Sequence, residues 1–305
     1  MNRIRQLLGL DEWKKLRLTA GEYSIAILDS GICEHPDLIG RIVAFEDFIN
    51  HRKQPYDDYG HGTHIAGIIG GNGIQSNGKF EGILPRIDLI GLKVLDAKGN
   101  GDYANIRHAF LWILKNKDKY NIKIINVSIG LENTIGEDEQ TELAILLNAL
   151  NKESIITVVA AGNNGPMPMS LSRLADSDKV ISVGCHDLGY QSRYGKNCEE
   201  YSARGPGSFS IKKPDLVAPG TDITSCSTLN RKKRTNYYAR KSGTSMATAI
   251  VCATIGMKIN QYPEISMDWL KHSLFYSATN LNEPWNKQGW GMINPKDFLN
   301  YDKSG

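Results

Sequence analysis

No stretch of this chain approaches the roughly 20 consecutive apolar residues that a membrane-spanning helix needs. Residues 1–18 mix Arg and Lys with Leu and Trp and hold no apolar run of signal-peptide character. Neither an export signal nor a membrane anchor is read there. Cysteine is scarce: Cys33, Cys185, Cys198, Cys226 and Cys252 are odd in number and lack framework spacing. A disulfide-stapled fold is thereby excluded, and a reducing, cytoplasmic compartment is expected. An excess of one charge is also lacking. A net charge of +3 over 305 residues is too small to argue for nucleic acid or a membrane surface as partner. Internal repeats and low-complexity tracts are missing too.

What is present is a globular composition, 41% hydrophobic and 23% charged, in a chain long enough to bury a large core without staples. Apolar, β-rich runs at 23–28, 87–95, 122–128, 155–160 and 180–184 alternate with helical patterns at 105–116, 139–150, 244–257 and 267–277. Within 105–116, for example, Ile106, Ala109, Phe110, Ile113 and Leu114 recur at helical spacing. This alternation predicts an α/β fold, a mostly parallel sheet with helices on both faces. Functional residues of such sheets gather at the carboxyl ends of strands. Asp29, Ser128 and Asn163 stand where strands are predicted to stop. Residues 1–22 are read as an N-terminal extension, 23–300 as one domain and 301–305 as a tail.

Three short segments carry chemistry. Asp29-Ser30-Gly31 ends the first strand, where an Asp commonly starts a turn. His61-Gly62-Thr63-His64 opens a helix of small residues. Two His three apart could hold a metal, but the zinc-protease Glu and an obvious third ligand are missing. The small residues instead permit the close packing that a buried catalytic His requires. Gly243-Thr244-Ser245 begins an apolar helix, where Ser is either an N-cap or a nucleophile favoured by free backbone N–H groups.

The chain order Asp, His, Ser is that of subtilisin and differs from the chymotrypsin and α/β-hydrolase orders. The flanking stretches AILDSG, GHGTHIAG and SGTSMA closely resemble the active-site segments of the subtilase family. Ala160-Ala161-Gly162-Asn163 resembles its oxyanion-hole segment. The resemblance covers nearly the whole chain and implies a subtilisin-like doubly wound fold. It also implies a serine endopeptidase with Asp29, His61 and Ser245 as triad and Asn163 as oxyanion donor. The implied substrate is an extended peptide or protein segment pairing with Gly99, Asn100 and Gly101 on one side and Ser128, Ile129 and Gly130 on the other. Tyr103 and Ile129 are candidates for an apolar subsite, with core packing the alternative for Ile129. Ser172 and Arg173 fall near the pocket for the residue before the scissile bond.

Several features depart from the family pattern. Ala249 stands where subtilases commonly carry Pro, leaving open a shifted partition of the acyl-enzyme towards amines, a transpeptidase or ligase alternative. A pseudoprotease binding module is the other alternative, although no triad residue is missing. Dedicated processing of one partner is as compatible with the sequence as general degradation. Many subtilases bind calcium in the loop after the His helix, but residues 71–78 contain no carboxylate. No cofactor or metal is therefore expected, with Asp37 an isolated remnant. Only 28 residues precede Asp29, as in intracellular subtilases. The first 20 are expected to pack on the body, or alternatively to lie across the cleft as an inhibitory tail. Finally, Arg231, Lys232, Lys233, Arg234, Arg240 and Lys241 make the approach to Ser245 basic. They are either a solvated loop or a leaving-group surface that prefers acidic residues.

Overall fold

A computed structural model describes residues 1–13, 22–129, 136–228 and 236–302. Seven strands form a parallel sheet: β1 (Ser24–Asp29), β2 (Ile42–Asp47), β3 (Asp88–Lys93), β4 (Ile122–Val127), β5 (Ile156–Ala160), β6 (Ile181–Cys185) and β7 (Leu216–Ala218). Their spatial order is β2-β3-β1-β4-β5-β6-β7. A separate antiparallel hairpin, β8 (Ile223–Cys226) and β9 (Tyr238–Lys241), pairs Ile223 with Lys241. The helices are α1 (Asn2–Leu7), α2 (Gly62–Gly70), α3 (Tyr103–Asn116), α4 (Glu137–Lys152), α5 (Cys198–Tyr201), α6 (Thr244–Gln261) and α7 (Met267–Tyr276), then Trp285–Gln288 and Pro295–Asn300.

Side chains alternate across each strand, so a buried sheet sends successive residues to opposite layers. Ile25, Ile27, Ile124, Val158 and Val183 face one layer with α2 and α6. Ala26, Leu28, Ile125, Val127 and Val159 face the other with α3 and α4. Each such Ile, Leu or Val contributes roughly 1.5–3 kcal/mol on burial. Helix α6 is predominantly apolar, and every residue from Thr244 to Ile259 is buried. It runs through the interior as a core helix instead of covering the surface.

Helix α2 shows why its residues are small. A Cβ on Gly62 would lie 2.1 Å from the Gly31 carbonyl oxygen and 3.0 Å from Asp29 Cβ. One on Gly67 would lie 2.4 Å from Ser225 Oγ and 2.6 Å from Cys226 Sγ. Only bare glycine lets this helix sit between the end of β1 and β8.

The first 13 residues join the core. Met1, Ile4, Leu8 and Leu10 are buried in the α2/α6 layer. The Met1 ammonium donates to Thr224 O at 3.1 Å, and Arg3 bonds Thr221 O. These contacts seat the described part of the segment on the α2/α6 layer and on β8. Residues 14–20, included in the inhibitory-tail alternative, lie outside the described residues.

Candidate active site

Asp29 closes β1 and is fully buried. Both of its carboxylate oxygens lie 2.8 Å from His61 Nδ1, and Oδ1 also accepts the Ser30 N–H at 2.7 Å. An ionised carboxylate only accepts, so Nδ1 carries the proton and Nε2 of a neutral ring is left as the basic nitrogen. His61 stands at the start of α2, its side chain 17% exposed.

Ser245 is the second residue of α6. Its hydroxyl donates to Ser128 O at 3.1 Å, Ser128 Oγ donates to Ser245 O at 3.3 Å, and Asn126 Nδ2 holds Ser128 Oγ at 2.8 Å. The serine is thus tied to the end of β4 and, in this conformer, is turned onto the Ser128 carbonyl. The expected hydroxyl-to-imidazole bond is not among the contacts of the described residues, whereas the carboxylate-to-imidazole bond is.

Asn163 follows β5. Its Oδ1 accepts the Thr244 N–H and the Thr244 hydroxyl, each at 3.1 Å. Because a backbone N–H can only donate, the amide oxygen must face Thr244, which leaves the NH2 group of this exposed residue directed elsewhere. The Ser245 N–H, in the first turn of α6, has no intrahelical acceptor. Gly243 has φ of 153°, and a Cβ there would come within 3.5 Å of Asn163 Nδ2.

Two groups escaped the sequence reading. Asp57 is a buried carboxylate whose Oδ1 accepts Ser30 Oγ at 2.8 Å, Tyr59 N–H at 3.2 Å and Gly60 N–H at 2.7 Å. Its Oδ2 accepts the Thr63 N–H at 2.8 Å and the Thr63 hydroxyl at 2.7 Å. It therefore joins the turn after Asp29 to the helix start that carries His61. Lys93, fully buried at the end of β3, donates to Ser30 O at 2.7 Å, Asp58 Oδ1 at 2.6 Å and Leu95 O at 2.8 Å. The acidic pair just before His61 was the available signal for the first; nothing local marks the second.

His64 lies under the site and is not paired with His61 as a ligand. Its Nε2 contacts Ile223 O at 3.0 Å and Ala239 O at 3.2 Å. Burial, reinforced first by the nearby Lys241 charge, pushes its pKa down to about 3. It is a neutral tie between α2 and the hairpin.

The predicted substrate-binding residues divide. Asn100 and Gly101 are exposed in the turn leading to α3, and Gly99 packs against the Tyr59 ring. Ser128 and Ile129 follow β4 and are buried, while Gly130 lies outside the described residues. Tyr103 and Ile129 belong to the same α3/α4 core layer. Tyr103 Oη donates to Glu142 Oε2 at 3.0 Å, and burial followed by this bond pushes its pKa upward. Ser172 donates to Ala160 O at 3.2 Å beside the Asn163 loop. Arg173 lines a different cavity, with Leu143, Leu147 and Asp176.

The residues near the loop after α2 do not fit calcium. Asp37 Oδ2 accepts Tyr238 Oη at 2.5 Å, and Oδ1 accepts the Gln75 N–H at 3.0 Å. The buried Arg5 guanidinium donates to Gly78 O at 3.1 Å, Glu81 O at 3.0 Å and Glu81 Oε2 at 3.2 Å. A cationic side chain already occupies the loop's oxygens. His35, Asp37 and Cys226 approach one another, but His35 Nδ1 accepts the Asp37 N–H at 3.0 Å and Nε2 meets Tyr237 O at 2.8 Å. Both ring nitrogens are in use.

The Subtilase family profile matches residues 21–291. The chain is 34% identical over 300 residues to "Serine protease AprX" of Bacillus subtilis (strain 168), covering 92% of this chain and 67% of that protein. It is 29% identical over 291 residues to "Subtilisin DY" of Bacillus licheniformis, covering 94% of each. Among solved structures, "Sphericase" superposes with a TM-score of 0.74 at 24% identity, over 90% of this chain and 93% of that one, and so shares the fold. The chain belongs to the subtilase family and is a hydrolase, a subtilisin-like serine peptidase.

Proposed function

We propose that the chain is a serine endopeptidase that cleaves extended peptide segments through an acyl-enzyme, with Asp29, His61 and Ser245 as triad and Asn163 as oxyanion donor. The observation that carries this reading is the buried Asp29 carboxylate set 2.8 Å from His61 Nδ1, which leaves Nε2 as the base. A rotation about Ser245 χ1 takes the hydroxyl from Ser128 O to His61 Nε2; catalytic hydrogen bonds commonly tighten only with substrate bound. Oγ then attacks the scissile carbonyl carbon while Nε2 takes its proton. The negative oxygen is received by the Asn163 NH2 group and the Ser245 N–H, at the positive end of α6. His61 returns the proton to the amide nitrogen as the C–N bond breaks, leaving an ester on Ser245 that water hydrolyses by the same steps. The exposed backbone at 100–101 and the segment from Ser128 suit strand addition by the substrate, which gives affinity to many sequences. The five free thiols suit a reducing compartment.

The test is digestion of a proteome-derived peptide library, with Asn163→Leu beside the native chain. Asn163→Leu is expected to lower kcat roughly 10²–10³-fold with little change in KM, the magnitude known for loss of one such donor in a subtilisin. An unchanged kcat would remove Asn163 from the oxyanion hole.

We further propose that the fold needs no calcium at the loop after α2, where Arg5 is seated. An ion present at 100 times its dissociation constant adds about 2.7 kcal/mol of stability. A chelator is expected to leave the urea midpoint where it was, and a clear downward shift reversed by calcium would overturn the claim.

A further inference from the structure

Lys241 ends β9, four residues before the nucleophile, and its side chain is only partly exposed. Among the described residues no carboxylate lies within ion-pair distance of its ammonium. The Tyr59 ring lies 5.5 Å from it, and that ring stands 6.4 Å from the His61 ring, while Asp57 and Asp29 act on the ammonium from farther off. Arg240, by contrast, is engaged with its guanidinium 3.9 Å over the Tyr194 ring. A cavity of about 310 Å³ lies along the same stretch of the hairpin, beside Tyr194, lined by Lys196, Arg240, Lys241 and Ser242, with Asp222 as the one carboxylate in its lining. Asp222 Oδ2 already accepts the Tyr190 hydroxyl at 3.0 Å and the Ser192 hydroxyl at 2.8 Å. The cavity therefore holds more positive charge than its own walls neutralise.

A half-buried ammonium with no carboxylate at ion-pair distance has lost water for only a partial return from the more distant Asp57 and Asp29, and burial accordingly depresses the Lys241 pKa. Such a group gains most from an anion brought by a ligand. Residues 99–101 and 128–129 form the walls assigned to the acyl half of the substrate. Lys241 and Ser242 belong to neither; they lead in the chain from the hairpin to Ser245, and Lys241 stands against the Tyr59 ring that neighbours the His61 ring. We propose that Lys241 is a specificity-determining residue that selects an acidic residue in the first two positions on the leaving-group side of the scissile bond. This rests on the peptidase reading above. It narrows the basic approach noted in the sequence to one side chain, since residues 231–234 lie outside the described set.

The test compares internally quenched peptides carrying Glu, Gln or Lys at each of those two positions, each otherwise identical. In the native chain kcat/KM for Glu over Gln is expected to be about tenfold at low salt. That ratio should collapse as ionic strength rises from about 0.01 to about 1 M and the screening length falls from about 30 to 3 Å. Lys241→Met should bring the ratio close to one, Lys241→Glu should invert it towards Lys, and Lys241→Arg should keep it. A native chain that cleaves the Gln peptides without favouring Glu overturns this proposal alone, as does a preference that survives in Lys241→Met. A native chain that cleaves none of the peptides, or a Ser245→Ala variant that cleaves them equally well, overturns the peptidase reading with it.

Discussion

Ser245→Ala is expected to reduce kcat on any cleavable peptide by about 10⁶-fold, while the variant folds and binds substrate as before. The magnitude is that found when the nucleophile of a subtilisin is removed. The reason lies in how the parts depend on one another. Without Oγ, the neutral His61 ring has no nucleophile to deprotonate, and Asp29 then orients a base that does nothing. What remains is the Asn163 amide and the Ser245 N–H, a residual worth 10³–10⁴ over water. His61→Ala should cost about as much, and the double variant little more, because the residues act as a unit. The fold should tolerate the change at Ser245, whose hydroxyl bonds one carbonyl, Ser128 O, at 3.1 Å. Steady-state assays with an active-site titrant and a urea melt check both halves. A variant that retains full activity ends the assignment, and one that fails to fold is replaced by Ser245→Cys, which keeps a weak donor at the same place.

The second large effect is expected at a residue that never meets substrate. Asp57→Ala removes the acceptor for five donors, from Ser30, Tyr59, Gly60 and twice from Thr63. Each buried donor left unpaired costs about 1–3 kcal/mol before water relieves it. Removing a buried charge that others depend on typically costs about 3–5 kcal/mol in all. The same variant loosens the two segments that bring Asp29 and His61 together, so kcat should fall with KM nearly unchanged. A change in the pH dependence of kcat should accompany it, since His61 loses its fixed orientation towards Asp29. Asp57→Asn keeps the volume and one acceptor oxygen and should lie between the two. Urea titration and pH–rate profiles make the comparison. A stability loss with an unaltered pH profile would assign Asp57 to the fold only.

Those two positions also show what the sequence could and could not reveal. The strands at β1, β3, β4, β5 and β6 were legible because each is buried on both faces and reads as a short apolar run. Strand β2 was not: it is an edge strand with a half-exposed pattern that includes Glu46. Strand β7 is three residues long between two prolines, and the β8–β9 hairpin is interrupted by a long polar segment. The active-site segments were legible as motifs in part because Gly62 and Gly67 are fixed by close contacts that tolerate no side chain. Asp57 and Lys93 act through bonds to Ser30, Thr63 and Leu95, contacts made in space that leave no periodic trace. Lys241 was visible only as one of six basic residues. That no carboxylate among the described residues pairs with it is a property of the folded hairpin.

Helix α6 joins two properties that enzymes often keep apart. Ser245, the proposed nucleophile, sits at the first turn of a helix buried from Thr244 to Ile259. Elements enclosed in this way open only when the whole molecule does. Loss of shape and loss of cutting power are therefore one event. A copy that has begun to come apart, and so has become food for its neighbours, no longer carries a usable blade of its own.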